Sequence, residues 1–476
     1  MLPSKALRFI AQKLVVASLF ISVATFQLGG VADPVSQSWP SPPARTPDSP
    51  LVVVRFPTVE LPHDPLRKVD SQNQIKGTIV YTPRIIVYPE QPANYFIVFH
   101  DLNKGKDFGG HVSTSAAYIA STDDHVFNPQ YSPNGKKLLI EVGRPDLPYG
   151  GYKFFIWDIE KKVLLGNPDE LLFPTLAWSP DSSAVAFVKG GDEQGNEFAG
   201  EISSPTHLCV FDLKRGTSTL VLQQTGVTRF AWTPTGDLLF VAPKQEVAGT
   251  TPTASHSAVY RVTPGTREPS KLIDDADTAV PSPDGKSVAF LGWFEDSSID
   301  KARQARPAIY GIGIYNIASN TRTLVQPLPK ARRGEGRFPI QLNWSDSSRA
   351  LWWVDSSYQN GNGRTVINQL NLGSAAGGDA LKINQPQPKS LATIQTVDSK
   401  ETERGPASPA VRFVSSTRDG RFILLSVSQL NEINHGFATE QRSLVALNIE
   451  NGALTTLAEV ENKWGSVVGW DWHEDD

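Results

Sequence analysis

From about residue 77 onward, apolar and polar positions alternate in short runs, and clusters of Ser, Pro, Asp, Asn and Gly break them at regular distances. Examples are Ala184 to Val188, Leu238 to Val241, Val288 to Leu291 and Phe422 to Leu425. Compact runs with a period of two, bounded by turn residues, predict strands. Outside the amino-terminal apolar stretch, only Ser298 to Arg306 reads as a short helical turn, so the chain is expected to be all-β.

The runs belong to a repeat. A first motif, an aromatic or turn residue followed by Ser/Thr-Pro-Asp/Asn-Gly/Ser, occurs at Tyr131-Ser132-Pro133-Asn134-Gly135, Trp178-Ser179-Pro180-Asp181-Ser182, Trp232-Thr233-Pro234-Thr235-Gly236 and Pro281-Ser282-Pro283-Asp284-Gly285. It decays to Trp344-Ser345-Asp346-Ser347-Ser348 and Ser416-Thr417-Arg418-Asp419-Gly420. Proline presets φ for the first turn position, and Asp, Asn and Gly tolerate the dihedrals that follow, so each copy predicts a hairpin. A second motif, two apolar residues, a polar one (usually Asp or Asn) and another apolar one, has its polar position at Asp101, Asp158, Asp212, Arg261, Asn316, Asn371 and Asn448. The intervals are 57, 54, 49, 55, 55 and 77 residues.

Seven copies of the second motif stand against six of the first. The missing strand is found at the other chain end, where Val467-Val468-Gly469-Trp470-Asp471-Trp472 resembles Phe230-Ala231-Trp232-Thr233. Arg84 to Tyr88 and Tyr95 to Asp101 are expected to be outer strands awaiting that inner partner. A ring joined by its chain ends leaves no open edges between repeats. The expectation is an all-β, seven-bladed β-propeller closed by the C-terminal strand in the N-terminal blade. Six blades is the alternative, if the first or fifth unit is an elaborated loop. Insertions are expected at 190–206, 242–256, 292–308, 327–338, 355–365, 373–410 and 428–442.

The amino terminus reads differently. Lys5, Arg8 and Lys13 precede a mostly apolar stretch from Leu14 to Leu28, and Gly29-Gly30-Val31-Ala32 offers a cleavage position at Ala32. This is the pattern of an export signal, shorter than the roughly 20 residues of a bilayer span. Cleavage is expected, with an uncleaved membrane anchor facing outside as the alternative. Residues 33–50 hold six prolines and no apolar periodicity, as in a spacer. The expected organisation is a signal peptide at 1–32, a Pro-rich linker and N-terminal extension at 33–76, and the propeller at 77–476.

Composition narrows the function classes. With 37 Gly and 36 Pro in 476 residues, the chain is as rich in turn formers as many short strands require. The formal charge of −4 becomes about −7 without residues 1–32, which carry three basic residues and no acid. A mildly acidic chain without a basic stripe does not suit nucleic acid, whose affinity comes mainly from neutralised phosphates. Lys330-Ala331-Arg332-Arg333 reads as a solvated loop. Cys209, the single cysteine, alternates within Leu208-Cys209-Val210-Phe211 and reads as a small core residue rather than a reactive thiol. No paired Cys/His spacing calls for zinc.

The Trp-Ser-Pro-Asp hairpin followed by Phe-Asp-Leu-x-x-Gly resembles the WD-like repeat of TolB-type propellers, and of the propeller domains of the prolyl oligopeptidase class, over roughly residues 77–473. The resemblance implies the fold, and it implies export in the manner of TolB, a periplasmic partner of envelope proteins. It does not carry an activity. The peptidases place a nucleophilic serine on Gly-x-Ser-x-Gly, which is absent from this sequence. TolB's separate amino-terminal α/β domain has no counterpart in the short, Pro-rich residues 33–76.

Candidate chemistry is sparse. The eight histidines, His63, His100, His111, His125, His207, His256, His435 and His473, show no His-x-His or His-x-x-x-His spacing. Asp123-Asp124-His125 reads as a loop between blades more readily than as a metal or catalytic group. Asp274-Asp275-Ala276-Asp277 could hold calcium but lacks the Gly and terminal Glu of an EF-hand loop, and reads as a solvated turn. Asn360-Gly361-Asn362-Gly363 is a turn by composition. Trp178, Trp232 and Trp344 occupy the repeat position and are expected between blades. Trp293, Trp352, Trp353, Trp464, Trp470 and Trp472 are less constrained and could form platforms at a channel mouth, but they read more readily as inter-blade packing.

No catalytic, cofactor-binding or metal-ligating residue and no cofactor is therefore assigned. The expected function is an exported noncatalytic propeller binding a protein partner or an envelope ligand such as a glycan, in the periplasm or outside the cell. The alternative is a propeller enzyme acting on carbohydrate or another extracellular polymer. The sign that separates them is the channel lining: His, Asp, Glu, Arg and Tyr converging from several blades favour the enzyme, a mixed mouth with exposed aromatics favours binding.

Overall fold

The computed structural model describes residues 53–474 except 56–57, 60–65, 69–74, 86–93, 103–115, 121–124, 144–152, 162, 167–175, 191–205, 225–226, 228, 244–256, 267, 296–307, 329–334, 338–339, 360–361, 373–387, 396–409, 435–436 and 461–464. The signal-like segment, Asp123-Asp124, Ser298 to Arg306 and Lys330 to Arg333 thus lie outside the described residues.

The strands form seven antiparallel sheets, one for each copy of the second motif, and the fold is an all-β propeller. Blade 1 holds Thr78–Ile85, Asn94–Asp101 and Ala116–Ala120. Blade 2 runs from His125–Tyr131 to Val163–Gly166, blade 3 from Leu176–Trp178 to Thr217–Gln224, and blade 4 from Arg229–Trp232 to Ser270–Asp274. Blade 5 runs from Ala276–Pro281 to Thr321–Pro327, blade 6 from Gln341–Trp344 to Lys389–Gln395, and blade 7 from Ala410–Ser416 to Leu454–Val460.

The ring closes where the repeat count places its seam. Gly465–His473 pairs with Thr78–Ile85 as the innermost strand of blade 1, with Trp472 opposite Ile79 and Trp470 opposite Tyr81. Both indoles are buried beside blade 7 residues Leu424, Leu444 and Leu457, and the Trp470 ring lies 5.3 Å from that of Tyr81.

The first motif folds as its residues require. Ser132, Ser179, Ser282 and Thr417 each donate their hydroxyl to the Asp or Asn two residues on, at 2.6–2.8 Å. The next positions are left-handed, at Gly135, Gly236, Gly285 and Gly420 but also at Ser182 and Ser348, with φ of 61° and 58°. Those two serines do what glycine could not: their hydroxyls accept the backbone N–H of Asn134 and Asp284 from the preceding blade's turn. The second motif is equally literal. Asp158, Asp212, Asn316 and Asn448 accept turn amides two or three residues ahead.

The core sits between blades. Separate apolar clusters bridge blades 2 and 3, 3 and 4, 4 and 5, 5 and 6, 6 and 7, and 7 and 1. Trp178, Trp232 and Trp344 occupy these interfaces, each donating its indole N–H to an inner-strand carbonyl of the preceding blade, Gln130, Ala177 and Val280. Trp352, Trp353, Trp470 and Trp472 are buried as well, and Cys209 is a core residue. Trp464 lies outside the described residues.

Three expected insertions are corrected by the strands. Residues 355–359 and 362–365 are the paired ends of Ala350–Gln359 and Asn362–Asn371, with Gln359 opposite Asn362. Residues 428–434 and 437–442 lie in the long paired strands Phe422–Asn434 and Phe437–Asn448. The 373–410 stretch includes blade 6's outer strand, Lys389–Gln395. These strands continue past the apolar core with polar residues, so hydropathy did not mark them.

A further feature lies within the 33–76 stretch. Val53–Arg55 adds to the outer edge of blade 2, Thr58–Val59 to that of blade 1, and Leu66–Lys68 to that of blade 7. The segment therefore crosses the seam from outside as a belt, while the C-terminal strand closes it from inside.

Candidate functional site

In each blade the first strand ends, and the second begins, at the hairpin turn. That end of the ring carries the short turns. At the opposite end the second strands finish and the third begin, and each blade's last strand leads to the next blade.

Carboxylates and hydroxyls at the turn-bearing end are committed to one another, while the buried indole N–H groups of Trp470 and Trp472 have no partner among the described residues. The Asp471 carboxylate accepts the Tyr131 N–H across the seam, and the His473 ring lies 5.5 Å from that of Tyr131. Glu474 accepts the Arg418 N–H at 2.7 Å, and Ser416 donates to Asp346 at 3.4 Å. Burial raises Asp471 to about 7, against the pull of the Tyr131 N–H. At blade 4, Asp237 takes bonds from Arg261 and Thr263; burial pushes its pKa up, but these bonds outweigh it and hold it below the usual range.

The loop-bearing end differs. Arg229 opens the inner strand of blade 4 and donates to Thr278 of blade 5 at 2.5 Å. Beside it, Asp277 accepts the Tyr310 hydroxyl; burial, then the Asp277 charge and that bond, push Tyr310 to about 12, opposed by Arg229. Trp293 packs against Tyr310 with ring centroids 5.0 Å apart and planes tilted by 55°. The acidic turn at 274–277 is thus neutralised from within: Lys271 pairs with Asp274 at 3.1 Å, and Arg322, lying over Phe290 and Phe294, feels Asp275 and Asp274.

Two groups in this half of the ring keep empty acceptors. Glu141, on the second strand of blade 2, is 1% exposed, and its Oε2 has no hydrogen-bond partner. Burial raises its pKa to about 8, with exposed Arg412 of blade 7 pulling the other way, so the two side chains feel each other although blade 1 separates their sheets. Asp355, on the second strand of blade 6, has a buried Oδ1 without a partner. Nearby, Ser356 and Thr365 satisfy each other at 2.8 Å.

Side chains from blades 2, 4, 5, 6 and 7 therefore supply the polar character of one end. None of Glu141, Arg229, Tyr310, Asp355 and Arg412 was singled out in the sequence. Their one signal was a charge inside an apolar run, as in Leu139-Ile140-Glu141-Val142 and Val411-Arg412-Phe413-Val414. Of the sequence candidates, His125 opens the inner strand of blade 2, whereas His63, His111, His256 and His435 lie outside the described residues. Among the described residues no three His, Cys, Asp or Glu side chains gather as a metal site.

Neither a protein-family model nor a curated protein matches the chain. Solved structures do resemble it. Oligogalacturonate lyase from Vibrio parahaemolyticus aligns at 14% identity and TM-score 0.45 over 81% of this chain and 87% of its own. The β-propeller domain of the trilobed protease from Pyrococcus furiosus aligns at 12% and 0.46 over 80% and 98%, and a putative TolB from Agrobacterium tumefaciens at 12% and 0.34 over 67% and 90%. Prolyl endopeptidases also align. TolB-type and prolyl-oligopeptidase propellers, the two kinds the repeat resembled, are among them.

Proposed function

We propose that the protein is an exported, noncatalytic propeller that binds a protein partner or an envelope ligand through its loop-bearing end. The observation that carries this reading is the contrast between the two ends. At the turns, carboxylates and hydroxyls are consumed in stitching blade to blade. At the loops, Glu141 and Asp355 keep empty acceptors and Arg229 and Arg412 are exposed. A buried polar atom without a partner costs about 1–3 kcal/mol, which an incoming ligand recovers. Export rests on residues 1–32, and a periplasmic location is proposed with it.

The Arg229–Thr278 and Asp277–Tyr310 pairs do not resemble an acid–base pair, since Tyr310 titrates far above neutrality and Asp277 is occupied. The enzyme reading has the Glu141 pKa of about 8 behind it, but that carboxyl is 1% exposed and out of a polymer's reach.

The test is affinity purification of the exported protein with mass spectrometry of what stays bound. Wild type and a turn-end control, Asp284→Ala, should retain the same species. The double variant Arg412→Ala/Asp355→Ala should lose it by about tenfold or more, roughly 1.4 kcal/mol. Equal retention by all three, or a clean wild-type chain with nothing bound, would count against the reading. Turnover of an extracellular polysaccharide that disappears in Glu141→Gln would replace it with the enzyme.

A further inference from the structure

The belt shows that outer edges of this ring accept an added antiparallel strand. Blades 7, 1 and 2 are each covered in this way. The added strands sit on blades 1 and 7 even though the outer strands of both carry a register irregularity. Among the described residues, the outer edges of blades 3, 4, 5 and 6 carry no such strand.

Three of those four edges are guarded. Ser270–Asp274 is only five residues long and carries the Lys271–Asp274 ion pair. Thr321–Pro327 contains Arg322 and ends on proline, and Lys389–Gln395 opens on a lysine. Charge, proline and shortness are the usual protections of an edge. Blade 3's edge has none of them: Thr217–Gln224 reads TSTLVLQQ, eight residues without charge or proline, and its only interruption is a register irregularity at Leu220–Leu222 like those of the covered edges of blades 1 and 7. Leu220, at its middle, is 47% exposed, one of two large hydrophobic residues so exposed among the described residues; the other, Leu454, starts the edge that the belt partly covers. Blade 3 also adjoins blade 2, where the belt stops, so its edge continues a surface already built for strand addition.

We infer that this edge pairs with the same edge of a second copy of the chain. Antiparallel pairing about a two-fold axis near Leu220 sets an uncharged strand against itself, so no like charges oppose, and each exposed Leu220 is covered by its mate. A contact of two eight-residue strands is at the small end of stable interfaces, and the dimer is accordingly weak and concentration-dependent.

Sedimentation velocity of the chain without residues 1–32, over a concentration series, tests it. Wild type shifts from monomer to dimer, and Leu220→Lys weakens association by about tenfold or more. Leu220 is half-exposed, so the variant should keep the wild-type melting curve. Hydrogen exchange of the wild type gives a second readout, with amides of 217–224 gaining protection as concentration rises while those of 321–327 do not. A monomer throughout the series, a dimer indifferent to Leu220→Lys, or exchange in 217–224 independent of concentration would overturn the proposal.

Discussion

Removing residues 465–476 should abolish cooperative folding of the ring, not merely loosen its seam. The deletion strips away Trp470 and Trp472, both buried, and exposes Ile79 and Tyr81, which are fully buried in the intact chain. A buried Trp truncated to Ala costs about 3–5 kcal/mol, so the two indoles alone rival a domain's whole stability of roughly 5–15 kcal/mol. Loss of the ladder on Thr78–Ile85 adds to this and leaves the inner edge of that strand open. The expected result is a broad, non-cooperative thermal transition by circular dichroism together with aggregation, and Trp470→Ala should show a milder loss of about 3 kcal/mol or more in urea. A truncated chain that melts as sharply as the intact one would mean that the belt suffices to hold the ring.

Glu141→Gln should change how stability depends on pH. Folding raises the Glu141 pKa from 4.5 to about 8. The folded state therefore holds this proton more tightly than the unfolded chain. The contribution is fully present below about pH 4.5, is lost as pH rises, and is gone above about pH 8. Glutamine cannot titrate and is exempt from that loss. At 1.36 kcal/mol per unit, the variant's stability relative to wild type should climb by roughly 3–4 kcal/mol across this range, whatever fixed cost its amide brings. Asp471, raised to about 7, weakens wild type and variant alike with rising pH and cancels in the difference. Urea unfolding of both proteins at several pH values measures it; a difference flat with pH would show Glu141 to be solvated.

The seam was legible because two independent motifs could be counted against each other, and the surplus strand carried its own signature in Val467 to Trp472. Hairpin turns were legible for a similar reason: Pro, Asp and Gly state the dihedrals they serve. Strand lengths in blades 6 and 7 were not, since Ser428 to Asn434 extends the ladder with polar residues and backbone pairing leaves no trace in hydropathy. Nor was the belt, in which Val53–Arg55 and Thr58–Val59 are too short and too close to prolines to stand apart from a spacer. The loop-bearing end was least legible of all. An acid within an apolar run reads the same whether it faces water or the core, and what makes Glu141 unusual is its burial, opposed by Arg412 some 270 residues away in sequence.

The central claim is a ring whose last strand belongs to its first blade. Hydrogen exchange of the intact chain, read by mass spectrometry on a peptide spanning 465–473, tests it most directly. Closure predicts that these amides exchange as slowly as those of Ala184–Gly190 in the middle of blade 3, and that both exchange together only on global unfolding. Exchange of 465–473 at the rate of a free peptide, with blade 3 still protected, would contradict it.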